Sequence, residues 1–146
     1  MKYIVNSGEE TKNIAEEFVS SLSPKEDSAT VVGLYGDLGA GKTHFTQTVA
    51  KLLGVEENIV SPTFVIEKIY ELKDKNFSHL IHIDAYRLES SSELLSLGWQ
   101  KIISDPKNLI LIEWPERVED IMPKHSKVMI KHLENENSRE IEILEI

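Results

Sequence analysis

Residues 36–43 read Gly36-Asp37-Leu38-Gly39-Ala40-Gly41-Lys42-Thr43, which is the pattern G-x-x-x-x-G-K-[ST]. This pattern is a phosphate-binding loop when a strand runs into it and a helix leaves it. Both flanks qualify. Residues 30–35, Thr30-Val31-Val32-Gly33-Leu34-Tyr35, are apolar and β-prone. Residues 44–53 are good helix material closed by Gly54. A polyphosphate is densely anionic, and such a loop answers it with backbone N–H groups and the positive end of the next helix. Gly36, Gly39 and Gly41 allow close backbone approach, and Asp37, Leu38 and Ala40 complete the turn. Lys42 supplies a point charge between the β- and γ-phosphates. Thr43 offers its hydroxyl to a magnesium ion, which takes few protein oxygens and keeps much of its water. His44 opens the helix beside the phosphates and joins the nucleotide-contacting set. ATP and Mg²⁺ are the expected ligands.

The rest of the chain suits an α/β fold of the P-loop nucleotidase type. We expect a three-layer sandwich with a mostly parallel central sheet and a C-terminal antiparallel hairpin at its edge. With 146 residues, the length prior gives one domain over 1–146. The longest purely aliphatic run is Leu109 to Ile112, too short to span a bilayer. The first residues lack a charged-then-apolar leader, and there is no cysteine for a disulfide framework or a thiolate zinc site. A cytoplasmic location with no membrane partner is the expectation. The net charge of −9 argues against this chain gripping a nucleic-acid backbone by itself.

In order, residues 2–5 read as a strand. Ser7-Gly8-Glu9-Glu10 is a capping box that starts a helix near Gly8, with Ile14, Ala15, Phe18, Val19 and Leu22 on its buried face. By position alone, Thr11 on its first turn is a solvent-facing threonine. Residues 64–70 read as a strand entered through Ser61-Pro62-Thr63, which is either a turn or a hydroxyl-bearing loop sensing the γ-phosphate. Residues 79–84 are a strand. Ser90 to Ser92 with Glu93 cap a helix broken by Gly98, and residues 99–103 form a second short helical piece. Residues 108–113 are an aliphatic strand suited to the sheet centre. A short helix or turn follows at 118–122. Residues 127–133 and 139–143 alternate as a hairpin with one wet face.

Two strands end in an acid, Asp84 and Glu113. In open α/β sheets, ligands bind outside the carboxyl ends of strands. If these strands are parallel neighbours of strand 30–35, both acids converge beside Thr43 and give a carboxylate for magnesium and a group to orient water. Spacing does not choose which acid meets the metal. His82 faces the same side as Asp84 and reads as a packed, hydrogen-bonded histidine. Arg87 is a candidate to pair with an acid or lean on a phosphate. No arginine finger is evident in cis, so intrinsic turnover is expected to be slow, on the order of 10⁻⁴ to 10⁻² s⁻¹.

Together, the loop at 36–43, Ser61-Pro62-Thr63-Phe64, His82-Ile83-Asp84-Ala85-Tyr86-Arg87 and Glu113-Trp114-Pro115 resemble the TsaE (YjeE) family, in order and spacing over nearly the whole chain. The resemblance implies a small ATPase required for threonylcarbamoyl modification of adenosine 37 in tRNAs that read codons beginning with A. It implies that Lys42 and Thr43 bind phosphate and magnesium, that Glu113 associates with the magnesium ion, and that Asp84 lies beside the nucleotide and serves hydrolysis. It also implies that Thr11 lies near the nucleotide, that Arg139 borders the base, and that residues 61–64 are a switch. The implied partner is a TsaB–TsaD complex that performs the transfer, gates hydrolysis and holds the tRNA, so that tRNA contact is indirect. Two other readings share the loop. A small-molecule kinase needs an arginine-bearing lid and an acceptor pocket, for which the short polar segments after Tyr86 offer little. A nucleotide-dependent binding module needs only the loop.

Overall fold

Seven strands form one sheet in the computed structural model, which describes residues 1–56, 67–73, 75–135 and 137–146. In chain order the strands are β1 (Lys2–Val5), β2 (Thr30–Tyr35), β3 (Glu67–Glu71), β4 (His79–Asp84), β5 (Asn108–Glu113), β6 (Ser126–His132) and β7 (Arg139–Leu144). The helices are α1 (Gly8–Ser21), α2 (Lys42–Leu52), α3 (Ser91–Ser96) and α4 (Trp99–Ile103), with a kinked 3₁₀ segment at Pro115–Ile121. Across the sheet the order is β1-β7-β6-β2-β5-β4-β3.

Alternation in the strands sorts side chains to two faces. Val32, Leu34, Leu80, Leu109 and Leu111 pack with Phe18, Phe45 and Val49 from α1 and α2. Val31, Ile81, Ile83, Ile110 and Ile112 pack on the other side with Leu94, Trp99 and Val118. Every residue of β5 is buried, as an aliphatic strand covered on both faces must be. Tilting α3 against α4 needs a left-handed joint, supplied by Gly98 at φ +85°. The buried Trp99 that follows donates its indole N–H to the Ile121 carbonyl at 3.1 Å.

The sheet differs from expectation in two respects. It is mixed rather than mostly parallel. The inner strands β6, β2, β5 and β4 are mutually parallel, while β3, β7 and β1 run antiparallel to their neighbours. Nor is the C-terminal hairpin at the edge. Its β6 lies against β2, and β1 pairs along the outer side of β7, which satisfies the backbone row that β7 would otherwise expose. The edges are instead β1 and β3, both short, with Lys2 on one and Glu67, Lys68 and Glu71 on the other. Charge and brevity are how natural sheets discourage further pairing.

Caps also divide. Ser7 Oγ accepts the Glu10 N–H at 3.2 Å, as a capping box requires, although the Glu10 carboxylate takes the N–H of Asn6 rather than Ser7. Ser90 does not cap α3, because its hydroxyl is bonded to that of Ser92 at 2.7 Å. The expected strand at 64–70 is described from Glu67. Residues 64–66, and the loop Ser61-Pro62-Thr63-Phe64 with them, lie outside the described residues. Among the described residues, no helix is long and apolar enough to cross a membrane.

Candidate functional site

The glycine-rich loop at 36–43 leaves β2 at Gly36 and enters α2 at Gly41. Gly36 has φ +150°, and a Cβ there would collide with the carbonyl oxygen of Ile130 on β6. Gly41 has φ +112° at the start of α2, where the first helical N–H groups are unpaired within the helix. Between them the Ala40 N–H returns to the Asp37 carbonyl at 3.1 Å. This leaves Asp37, Leu38 and Gly39 on an exposed crest. The result is a turn of backbone amides ahead of a helix N-terminus, suited to an anion.

Lys42 is only 4 % exposed. Its ammonium donates to the Gly36 carbonyl and lies 3.6 Å from the centre of the Trp114 ring. Burial draws its pKa below the ordinary lysine value, while Glu113, Glu116, Asp84 and Asp37 pull it back up. Trp114 is the one described non-glycine residue with positive φ, at +60°, and its ring packs on Tyr86 at 4.9 Å. Arg117 lies over the far partner, 5.3 Å from the Tyr86 ring.

The strand arrangement that the expected convergence requires is present. β2, β5 and β4 are parallel neighbours, with Leu34 level with Glu113 and Glu113 level with Asp84. Thr43 donates its hydroxyl to the Glu113 carboxylate, at 3.1 Å to one oxygen and 3.4 Å to the other. Glu113 is buried and also meets His82, whose Nε2 is 2.6 Å from Oε2. Asp84 is half-buried and accepts the Tyr86 N–H at 3.0 Å. One hydroxyl and two carboxylates are hard oxygen donors, few in number, which is the donor set magnesium takes beside phosphate. These residues fit that ion.

Beside the loop lies a cleft of about 240 Å³. Thr11, Gly41, His44, Asn137 and Arg139 are among its lining residues, so the N-terminal helix, the loop and β7 meet there. Arg139 donates from Nε to the Ala40 carbonyl at 3.1 Å, fixing the strand to the loop. Thr11 is buried and donates its hydroxyl to the Ser7 carbonyl at 3.2 Å, so it does not face solvent as its position suggested. The other lining residues come from distant parts of the chain, which no pattern within the helix reports. His44 is exposed at the rim. Arg87 is exposed.

Sequence reasoning missed the Lys42–Trp114 contact and the lining role of Asn137, and it did not foresee the partner of His82. The only signals were that Trp114 directly follows Glu113, and that His82 shares a face with Asp84.

A family model described as threonylcarbamoyl adenosine biosynthesis protein TsaE matches residues 5–141. The tRNA threonylcarbamoyladenosine biosynthesis protein TsaE of Rickettsia typhi is 41% identical over 135 residues, covering 91% of this chain and 88% of the relative. Its namesake in Bacillus subtilis is 34% identical over 141 residues, covering 97% and 83%. The crystal structure of Bacillus subtilis YdiB superposes with a TM-score of 0.78 at 31% identity, covering 100% of this chain and 85% of that one.

Proposed function

The chain belongs to the TsaE family of threonylcarbamoyl adenosine biosynthesis proteins, and from that premise we propose that it is a magnesium-dependent ATPase. It serves the threonylcarbamoyl modification of adenosine 37 in tRNA, and its hydrolysis is gated by a TsaB–TsaD complex. The observation that carries the catalytic reading is the Thr43–Glu113 hydrogen bond, formed where Glu113 is level with Asp84 at one end of the parallel strands.

In this reading the loop amides and Lys42 hold the phosphates. Thr43 donates a hydrogen bond to Glu113, which leaves the lone pairs of the Thr43 hydroxyl oxygen free, and the two residues together would hold Mg²⁺. When bound, the ion would supply positive charge against the charge that develops on the phosphates. Asp84, one strand over, orients the attacking water. The cleft lined by Thr11, His44 and Arg139 takes the nucleoside. Arg139 is turned to that side and Arg117 lies over Tyr86, so the transition-state charge falls to Lys42, the ion and whatever a partner supplies. Turnover alone is then on the order of 10⁻⁴ to 10⁻² s⁻¹. The net charge of −9 suits a protein that meets tRNA only through partners in the cytoplasm.

The test is phosphate release from ATP by the purified protein, with and without TsaB and TsaD. Slow release that rises steeply with both partners, and that vanishes in Lys42→Ala, is the expected result. Fast release indifferent to the partners contradicts gating. Phosphorylation of an added metabolite instead of phosphate release contradicts the ATPase.

A further inference from the structure

We propose that His82 is a positioning residue for the metal ion: its ring holds the Glu113 carboxylate in the orientation that faces Thr43. This rests on the magnesium-dependent reading above. The inward row of β4 and β5 is aliphatic at Leu80, Leu109 and Leu111, and a leucine would suit the place of His82 as packing. Instead an imidazole is buried there, 1 % exposed, and burying one is costly unless it is hydrogen-bonded. Its bond is to Glu113, itself 3 % exposed, at 2.6 Å. An ionised carboxylate only accepts, so Nε2 is the donor whichever charge the ring carries.

The two carboxylate oxygens are thereby pinned from different directions. Oε2 is held by His82, and Oε1 is the nearer acceptor of the Thr43 hydroxyl. Register sets this up. His82 is level with Leu111, one pleat behind the Asp84–Glu113 pair, so the ring reaches forward to the acid from behind the site. It remains buried on the inner side while Asp84, two residues on, is half-exposed. Groups that orient a metal-bound carboxylate from behind govern metal affinity by about 10- to 100-fold without touching the ion.

The experiment measures ADP affinity of the full chain by calorimetry across a Mg²⁺ series and in chelator. We expect His82→Leu to raise the Mg²⁺ concentration at half-effect by about ten-fold or more, with affinity in chelator unchanged. His82→Gln puts an amide N–H near the position of Nε2 and should stay close to wild type. His82→Asn ends near Nδ1, too short to reach Glu113, and should resemble His82→Leu. If His82→Leu does not fold, the Gln and Asn pair decides. Equal midpoints for these two, or a folded His82→Leu with the wild-type midpoint, overturn the role of His82 alone. A wild-type protein whose ADP affinity ignores Mg²⁺ overturns the underlying reading as well.

Discussion

A lysine hidden from solvent has to be compensated locally. At Lys42 the compensation is the Gly36 carbonyl, the face of Trp114 and the nearby acids. Trp114 presents that ring from a left-handed backbone, which costs a bulky residue about 1–3 kcal/mol. That gives a prediction opposite to the usual order of small residues. Trp114→Gly and Trp114→Ala both lose the ring and its contacts with Lys42 and Tyr86. Only the alanine keeps a Cβ in the unfavourable conformation, so the glycine variant should be the more stable by about 1 kcal/mol. Urea titration of the two variants measures this directly, and an alanine variant equal or superior in stability means the backbone at 114 relaxes once the ring is gone. Glu113→Ala tests the same site from the other side. It should weaken the Mg²⁺ dependence of ADP binding, and an unchanged metal titration removes Glu113 from the site.

Element ends show how similar sequence signals diverge in three dimensions. Ser7 and Ser90 each precede a helix and each has Glu three residues on. Only Ser7 gives its oxygen to a helical N–H; Ser90 is turned to Ser92. Ser7→Ala should therefore cost about 1 kcal/mol in chemical denaturation, and Ser90→Ala only a few tenths, since a cap matters only when its bond is made. Equal costs would mean that Ser90 caps in solution. The same distinction explains what the sequence could and could not disclose. β4 and β5 are legible because an aliphatic run ending in an acid is a local signal, and β2 is legible because the glycine-rich motif follows it directly. Thr11 is buried rather than solvent-facing, and no periodicity within α1 reports a cleft whose other lining residues include Ala40 and Arg139. The outer position of β1 was equally hidden. Strand pairing depends on which backbone row is left open after the hairpin docks on β2, and alternation in β6 and β7 is the same whichever strand lies beyond them.

At the scale of the molecule, the cleft joins segments with no sequence proximity. Its wall draws on Asn6 to Thr11, on the loop and start of α2, and on Asn137 to Ile141. Side-chain hydrogen bonds among the described residues that link them include Arg139 to Ala40 and Ser138 to Asn6. A nucleotide seated here would act as a further link among all three. Ligand at 100 times its dissociation constant stabilises the binding-competent state by about 2.7 kcal/mol. Amides that exchange through local opening should record that gain only where the opening breaks the site. With ADP and Mg²⁺, exchange should slow together in residues 6–11, 36–46 and 137–141. Locally exchanging amides of α3 and α4 cover the opposite face of the sheet and should keep their rates. Hydrogen exchange followed by mass spectrometry resolves these segments. Protection confined to residues 36–46 would leave the phosphates bound but the nucleoside elsewhere, and would withdraw Thr11 and Arg139 from the binding set. Protection of all three would tie the first helix and the last strand to one ligand, so that its release would loosen both ends of the chain at once.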